Sequence, residues 1–162
     1  MNGQQLHLLA NHLPVVGSIG ALLLLAAAWL WPARALNRVA LAFTVLVGVA
    51  SVVAFVTGEP AEEIVEHLPG IVEASIEHHE EAAERALWLG IATGLVGLGG
   101  LYLGRRHPAR RTTLLPSLLF MLALAAVMAW TAHHGGRIHR PELAGAPAAI
   151  LPGESEARAD HD

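Results

Sequence analysis

This chain of 162 residues contains no cysteine. That excludes disulfides, cysteine-ligated zinc and the C-x-x-C-H attachment of a c-type haem. Lysine is absent too, so the ten basic residues are all arginine. Only 15% of the chain is charged. No nucleic-acid-binding motif accompanies the arginines, which leaves nucleic-acid recognition without support. The sequence also lacks H-E-x-x-H, a Gly-rich phosphate loop after a strand, and a nucleophile–base pair. A soluble hydrolase is therefore unsupported. No internal repeat is evident.

What the chain has is apolar length. Its composition is 54% hydrophobic. Four runs stand out: Leu13–Trp31, Val39–Thr57, Ala86–Gly104 and Thr112–His133. Each approaches the ~20 residues that cross ~30 Å of hydrocarbon as a helix. A membrane β-barrel would need many short alternating segments instead. Helices satisfy their own backbone in lipid. The expected fold is an all-α membrane protein, a four-helix transmembrane bundle over residues 1–143. The Ala/Pro/Gly/Glu-rich tail, residues 144–162, is expected to be disordered. Mid-span positions are nearly all apolar, which disfavours a channel or transporter.

Charge sets the direction. Arg34, Arg38, Arg105, Arg106, Arg110 and Arg111 occupy the two short links between spans. All fourteen acidic residues lie on the other side. The positive-inside rule puts the arginine links in the cytoplasm. Both termini and residues 58–85 are then outside, on the periplasmic side of a bacterial inner membrane. Met1–Gln5 has no basic n-region, so the first span reads as an anchor, not a cleaved signal.

The outer segment reads as a helical hairpin. Pro60 suits a first helical turn, and a short helix over Ala61–Leu68 is expected. Pro69-Gly70 marks a turn. From Ile71 a helical pattern runs into the third span without a breaker. Helix three should thus project beyond the membrane. On a helical wheel Glu73, Glu77, Glu80, Glu81 and Glu84 share one side. Ala82, Ala83 and Ala86 share the opposite arc with Ile71, Val72, Ser75 and Ile76. His79 falls near the middle of that arc and His78 at its edge.

Besides His161 in the tail, eight of the ten histidines gather on this outer side: His7, His12, His67, His78, His79, His133, His134 and His139. Imidazole is the commonest metal ligand among side chains. The first span opens with His7 and His12, five apart and so not on one face of a regular helix. If the helix starts at Pro14, His7 lies before it. If it starts earlier, His7, Asn11 and Ser18 share a face. After span four come His133, His134 and Gly135-Gly136, a natural helix stop, and then Arg137. Arg137 suits a carboxylate such as a haem propionate.

Three segments together resemble the DUF2231 family of small four-span bacterial membrane proteins. They are His7-Leu-Leu-Ala-Asn-His12-Leu-Pro14, then Thr57-Gly58-Glu59-Pro60 through Pro69-Gly70 to His78-His79-Glu80, and finally His134-Gly135-Gly136-Arg137-Ile138-His139. Leu13 stands where that family has an aromatic residue, and His139-Arg140 inverts the expected order. The resemblance covers the membrane domain and implies histidine-bound haem or metal.

Three functions compete. In the first, haem b is held between facing helices by two axial histidines. His79 is paired with His12 or His134, while His7 and His133 serve a second haem or supporting bonds, and Arg137 meets a propionate. The chain would then be an electron-transfer or binding subunit between a membrane quinone and a periplasmic redox protein. In the second, His12, His79 and His134 bind Zn, Cu or Ni without haem. In the third, the chain is a non-catalytic accessory subunit of a larger membrane complex or homo-oligomer. Gly17, Gly20, Gly48, Gly90, Gly94, Gly97, Gly99 and Gly100 would support close helix packing.

The orientation is directly testable, because no native cysteine interferes with single-cysteine labelling. Ala148→Cys should react with a membrane-impermeant maleimide in intact cells with a permeabilised outer membrane. Ala35→Cys should not, and the reverse pattern would invert the topology.

Overall fold

The computed structural model describes residues 3–58, 73–106 and 110–138, with side chains over 7–58, 78–105 and 112–133. The described residues form four helices: α1 (Gly3–Leu30), α2 (Arg34–Val56), α3 (Glu73–Arg106) and α4 (Arg110–Ile138). All four are long and apolar enough to cross a membrane. The expected short helix at Ala61–Leu68 and its turn lie outside the described residues.

Two boundaries clarify the sequence. α1 begins before Pro14 and carries it internally. Pro14 has no N–H to offer the Ala10 carbonyl, so that rung is missing while the helix continues. His7, Asn11 and Ser18 therefore share a face. α4 runs through Gly135-Gly136 to Ile138, where a stop was expected. Glycine costs a helix about 1 kcal/mol relative to alanine, a penalty and not a prohibition. The 34 residues of α3 span about 51 Å at 1.5 Å per residue. That exceeds the ~30 Å hydrocarbon core, as the unbroken pattern from Ile71 predicted.

The helices pack in chain order around a ring, with α4 returning to α1. The α4–α1 contact is the smallest of the four neighbour interfaces. Leu25, Leu41, Leu114, Met121 and Leu124 fill the centre. The outward faces carry large apolar side chains such as Leu23, Leu46, Val49, Leu95, Leu119 and Leu122, all more than half exposed. In water such a surface would drive association; facing lipid, it is the expected one.

α2 and α3 meet backbone to backbone. A Cβ on Gly48 would lie 2.8 Å from the Gly90 carbonyl oxygen and 2.8 Å from the Gly94 Cα. A Cβ on Gly90 would lie 2.5 Å from the Ser51 Cβ. Gly97 and Gly100 continue the seam against Leu41, Thr44 and Val45. Gly99 is different, since a Cβ there meets nothing within 4 Å.

The two hairpins, α1–α2 and α3–α4, are pseudo-equivalent. The offset that carries His7 onto His79 also carries Arg34 onto Arg106 and Arg38 onto Arg110. At that offset the buried residues Ala10, Pro14, Ser18, Ala21, Leu25 and Ala28 fall on buried Ala82, Ala86, Gly90, Thr93, Gly97 and Gly100. With one more residue, Leu41, Thr44, Gly48 and Ser51 fall on buried Leu114, Ser117, Met121 and Leu124. Any two amphipathic helices can be brought into phase. Here the landmarks at both ends match as well. The paired residues mostly differ in kind, which is why no repeat is visible in the sequence.

Gly48→Val should lower the thermal unfolding midpoint in detergent, by an amount equivalent to about 1–3 kcal/mol or more for overpacking. Gly99→Ala should leave it nearly unchanged. Equal effects from both, measured by circular dichroism, would mean the seam is not close-packed.

Candidate functional site

The histidine-bearing end of the bundle is held by polar contacts between helices. On α1, His7 is half-buried. Its Nδ1 lies 3.2 Å from the Ala54 carbonyl oxygen on α2. A carbonyl can only accept, so Nδ1 carries the proton and donates. The Thr57 hydroxyl stands 3.5 Å from the same nitrogen. Thr57 itself donates toward the Val53 and Ala54 carbonyls, 3.0 Å from each.

The second hairpin has its own clasp. His79 on α3 is half-buried, and its Nδ1 donates to the Thr131 carbonyl on α4 at 3.3 Å. The Thr131 hydroxyl points back across the interface, 3.2 Å from the Ala82 carbonyl on α3. It also lies 3.0 Å from the Val127 carbonyl of its own helix. α3 and α4 are thus tied in both directions within one turn. The wheel-derived face of α3 is also observed: Ala82 and Ala86 are buried, while Glu80, Glu81 and Glu84 are exposed.

The remaining expected residues are placed differently. His12 is exposed, and its Nδ1 donates to the Leu8 carbonyl of its own helix. His78 and His133 are exposed at the same end of the bundle. His134 and Arg137 lie on the last turns of α4, and their side chains lie outside the described residues. His67 and His139 fall wholly outside them. Among the described residues, no three histidine, aspartate or glutamate side chains converge as a metal site would require.

Near the two clasps four of the buried positions are alanine, with Met128 beside them on α4. They are Ala10, Ala54, Ala82 and Ala86. On the outer surface Arg85 pairs with Glu81 at 3.1 Å and stacks over Trp130, 5.6 Å from the ring centroid. These contacts accommodate Arg85 among the acidic residues at the histidine-bearing end of α3.

Sequence reasoning did not single out Ala54, Thr57 or Thr131. A backbone carbonyl acceptor leaves no trace in residue type. The two threonines did leave one, since each sits near the end of a span that runs toward the histidine side. No family model matches the chain, and no curated protein or solved structure matches it either.

If these bonds key the helices together, His7→Phe and His79→Phe should each destabilise the cofactor-free protein by about 0.5–1.5 kcal/mol. His12→Ala, at an exposed ring bonded within its own helix, should change stability by less than about 0.5 kcal/mol. Thermal unfolding in one detergent compares them, and a larger loss from His12→Ala would reverse the assignment.

Proposed function

We propose that this chain is a multi-pass protein of a bacterial inner membrane that binds haem b at its histidine-bearing, periplasmic end and passes electrons. Membership of the DUF2231 family is part of this proposal. One observation carries the reading. His7 and His79 stand at equivalent positions on α1 and α3, the diagonal helices of the ring, and each donates Nδ1–H to a backbone carbonyl on the next helix. A histidine so fixed presents Nε2 as its lone-pair nitrogen, which is how metal-ligating histidines are usually oriented.

The residues fit the group in two further respects. Haem iron can be held by histidine side chains, and His7 and His79 would be the residues that hold it. The short apolar side chains of Ala10, Ala54, Ala82 and Ala86 give a macrocycle apolar flanks. The α4–α1 seam, the smallest interface, is the side from which a planar group would enter. Arg137 is assigned to a propionate. When bound, haem supplies one-electron chemistry, and bis-histidine ligation leaves no open position for substrate. The chain's own residues orient the ligands and exclude water. A membrane quinol is the proposed donor and a periplasmic redox protein the proposed acceptor.

This reading moves the favoured partner of His79 from His12 or His134 to His7, because the His12 ring is exposed and bonded to its own helix. It also ranks haem above a Zn, Cu or Ni site. Such a site takes at least three protein donors, whereas two tethered imidazoles carry the haem reading.

A dithionite-reduced minus air-oxidised spectrum of the detergent-purified protein, expressed with ample haem, tests the proposal. A sharp low-spin α-band is expected. His7→Ala and His79→Ala should each abolish it, and His12→Ala should retain it. A flat spectrum from the unaltered protein sinks the haem reading, and elemental analysis would then decide for or against a bound metal.

A further inference from the structure

Thr131 is the residue at the histidine end that bonds in both directions. Its carbonyl accepts from His79 Nδ1 at 3.3 Å, and its hydroxyl reaches the Ala82 carbonyl at 3.2 Å. His79 and Ala82 are three residues apart on α3, so they lie on one face, one above the other. Thr131 is buried at 7% exposure and Ala82 at 2%. The hydroxyl bond to Ala82 is buried, and the imidazole bond is half-buried. The hydroxyl, shared between the Ala82 carbonyl and the Val127 carbonyl of its own helix at 3.0 Å, ties α4 to α3 at the level where the Thr131 carbonyl receives the imidazole.

We infer that Thr131 is a positioning residue for His79, setting its ring through the carbonyl and holding that carbonyl in register through the hydroxyl. This rests on the haem reading above. A hydrogen bond to the distal nitrogen of a ligating imidazole fixes its tautomer and raises its basicity. A more basic imidazole ligand would favour the ferric over the ferrous state of a bound haem. Loosening the Thr131 clasp therefore weakens haem retention and raises the midpoint potential.

The deeper hydroxyl of Thr93 provides an internal control. It too spans α3 and α4, lying 3.5 Å from the Phe120 carbonyl and 2.7 Å from the Leu89 carbonyl of its own helix. Thr93 is fully buried, against 7% exposure for Thr131, and lies well inside the bundle from His79. A general loosening of the helix pair would follow from either residue, whereas an effect on the ligand belongs to Thr131 alone.

The experiment compares Thr131→Val, Thr131→Ala, Thr131→Ser and Thr93→Val in the full chain. Haem transfer to excess apomyoglobin and spectroelectrochemical titration provide the readouts. Thr131→Val and Thr131→Ala should lose haem roughly tenfold more readily, the scale of effect seen when partners of ligands are removed, and shift the potential upward. Thr131→Ser should restore both properties, and Thr93→Val should leave both near those of the unaltered protein. A normal α-band with unchanged potential and retention in Thr131→Ala overturns the inference while leaving the haem reading intact. Equal shifts from Thr93→Val also overturn it. Should Thr131→Val fail to fold, the Ala and Ser variants decide alone. Absence of any haem band in the unaltered protein overturns both readings together.

Discussion

The close approach of α2 and α3 is the constraint on which the rest of the bundle depends. At Gly48 and Gly90 the two helices meet with no room for a side chain, and Gly94 packs directly against Gly48. Lipid gives apolar side chains no reason to leave it for a helix interface, so association rests on packing and on hydrogen bonds between helices. A glycine seam maximises the first. It fixes the separation and register of one hairpin against the other, and larger residues fill the remaining interfaces. At the positions corresponding to Gly48 and Gly97, the other side of the ring carries Met121 and Leu25, both buried. The pseudo-equivalent hairpins are thus tight on one side and less extensively joined on the other.

Buried hydroxyls supplement this packing at modest cost. Thr44, Ser51 and Ser117 each donate to a carbonyl one turn back in their own helix. Such bonds satisfy a polar group that lipid or a packed core would otherwise penalise. They also keep the side chain small at a helix contact. At the histidine end the pattern changes, and polar groups bond between helices. Within each hairpin one imidazole spans to its neighbour. His7 and His79 therefore act as structural ties between neighbouring helices.

Much of this was legible in the sequence. The absence of lysine from the chain and the six arginines in its two short links required no structure to interpret. Nor did the apolar runs, because helix length against bilayer thickness is a one-dimensional argument. The face of α3 could be read from its wheel, since glutamates and alanines separate cleanly at 100° per residue. The double glycine was less informative than its composition suggests. It lowers helix propensity, but whether a helix ends there depends on the alternatives open to the backbone, and here α4 continues to Ile138.

The sequence by itself determined that four helices form and that ten histidines are distributed unevenly about them, because hydrophobic length, charge and periodicity are local properties of the chain. It also placed His79 on the inward arc of its helix. Only the tertiary structure decided which glycines carry the seam and which, like Gly99, face open space. Only it separated His7 from His12, set the carbonyls of Ala54 and Thr131 beside two imidazoles, and revealed two hairpins of unlike sequence with like burial. Those outcomes depend on contacts between residues some fifty positions apart. They are set by the relative height and rotation of packed helices, quantities that no single segment encodes.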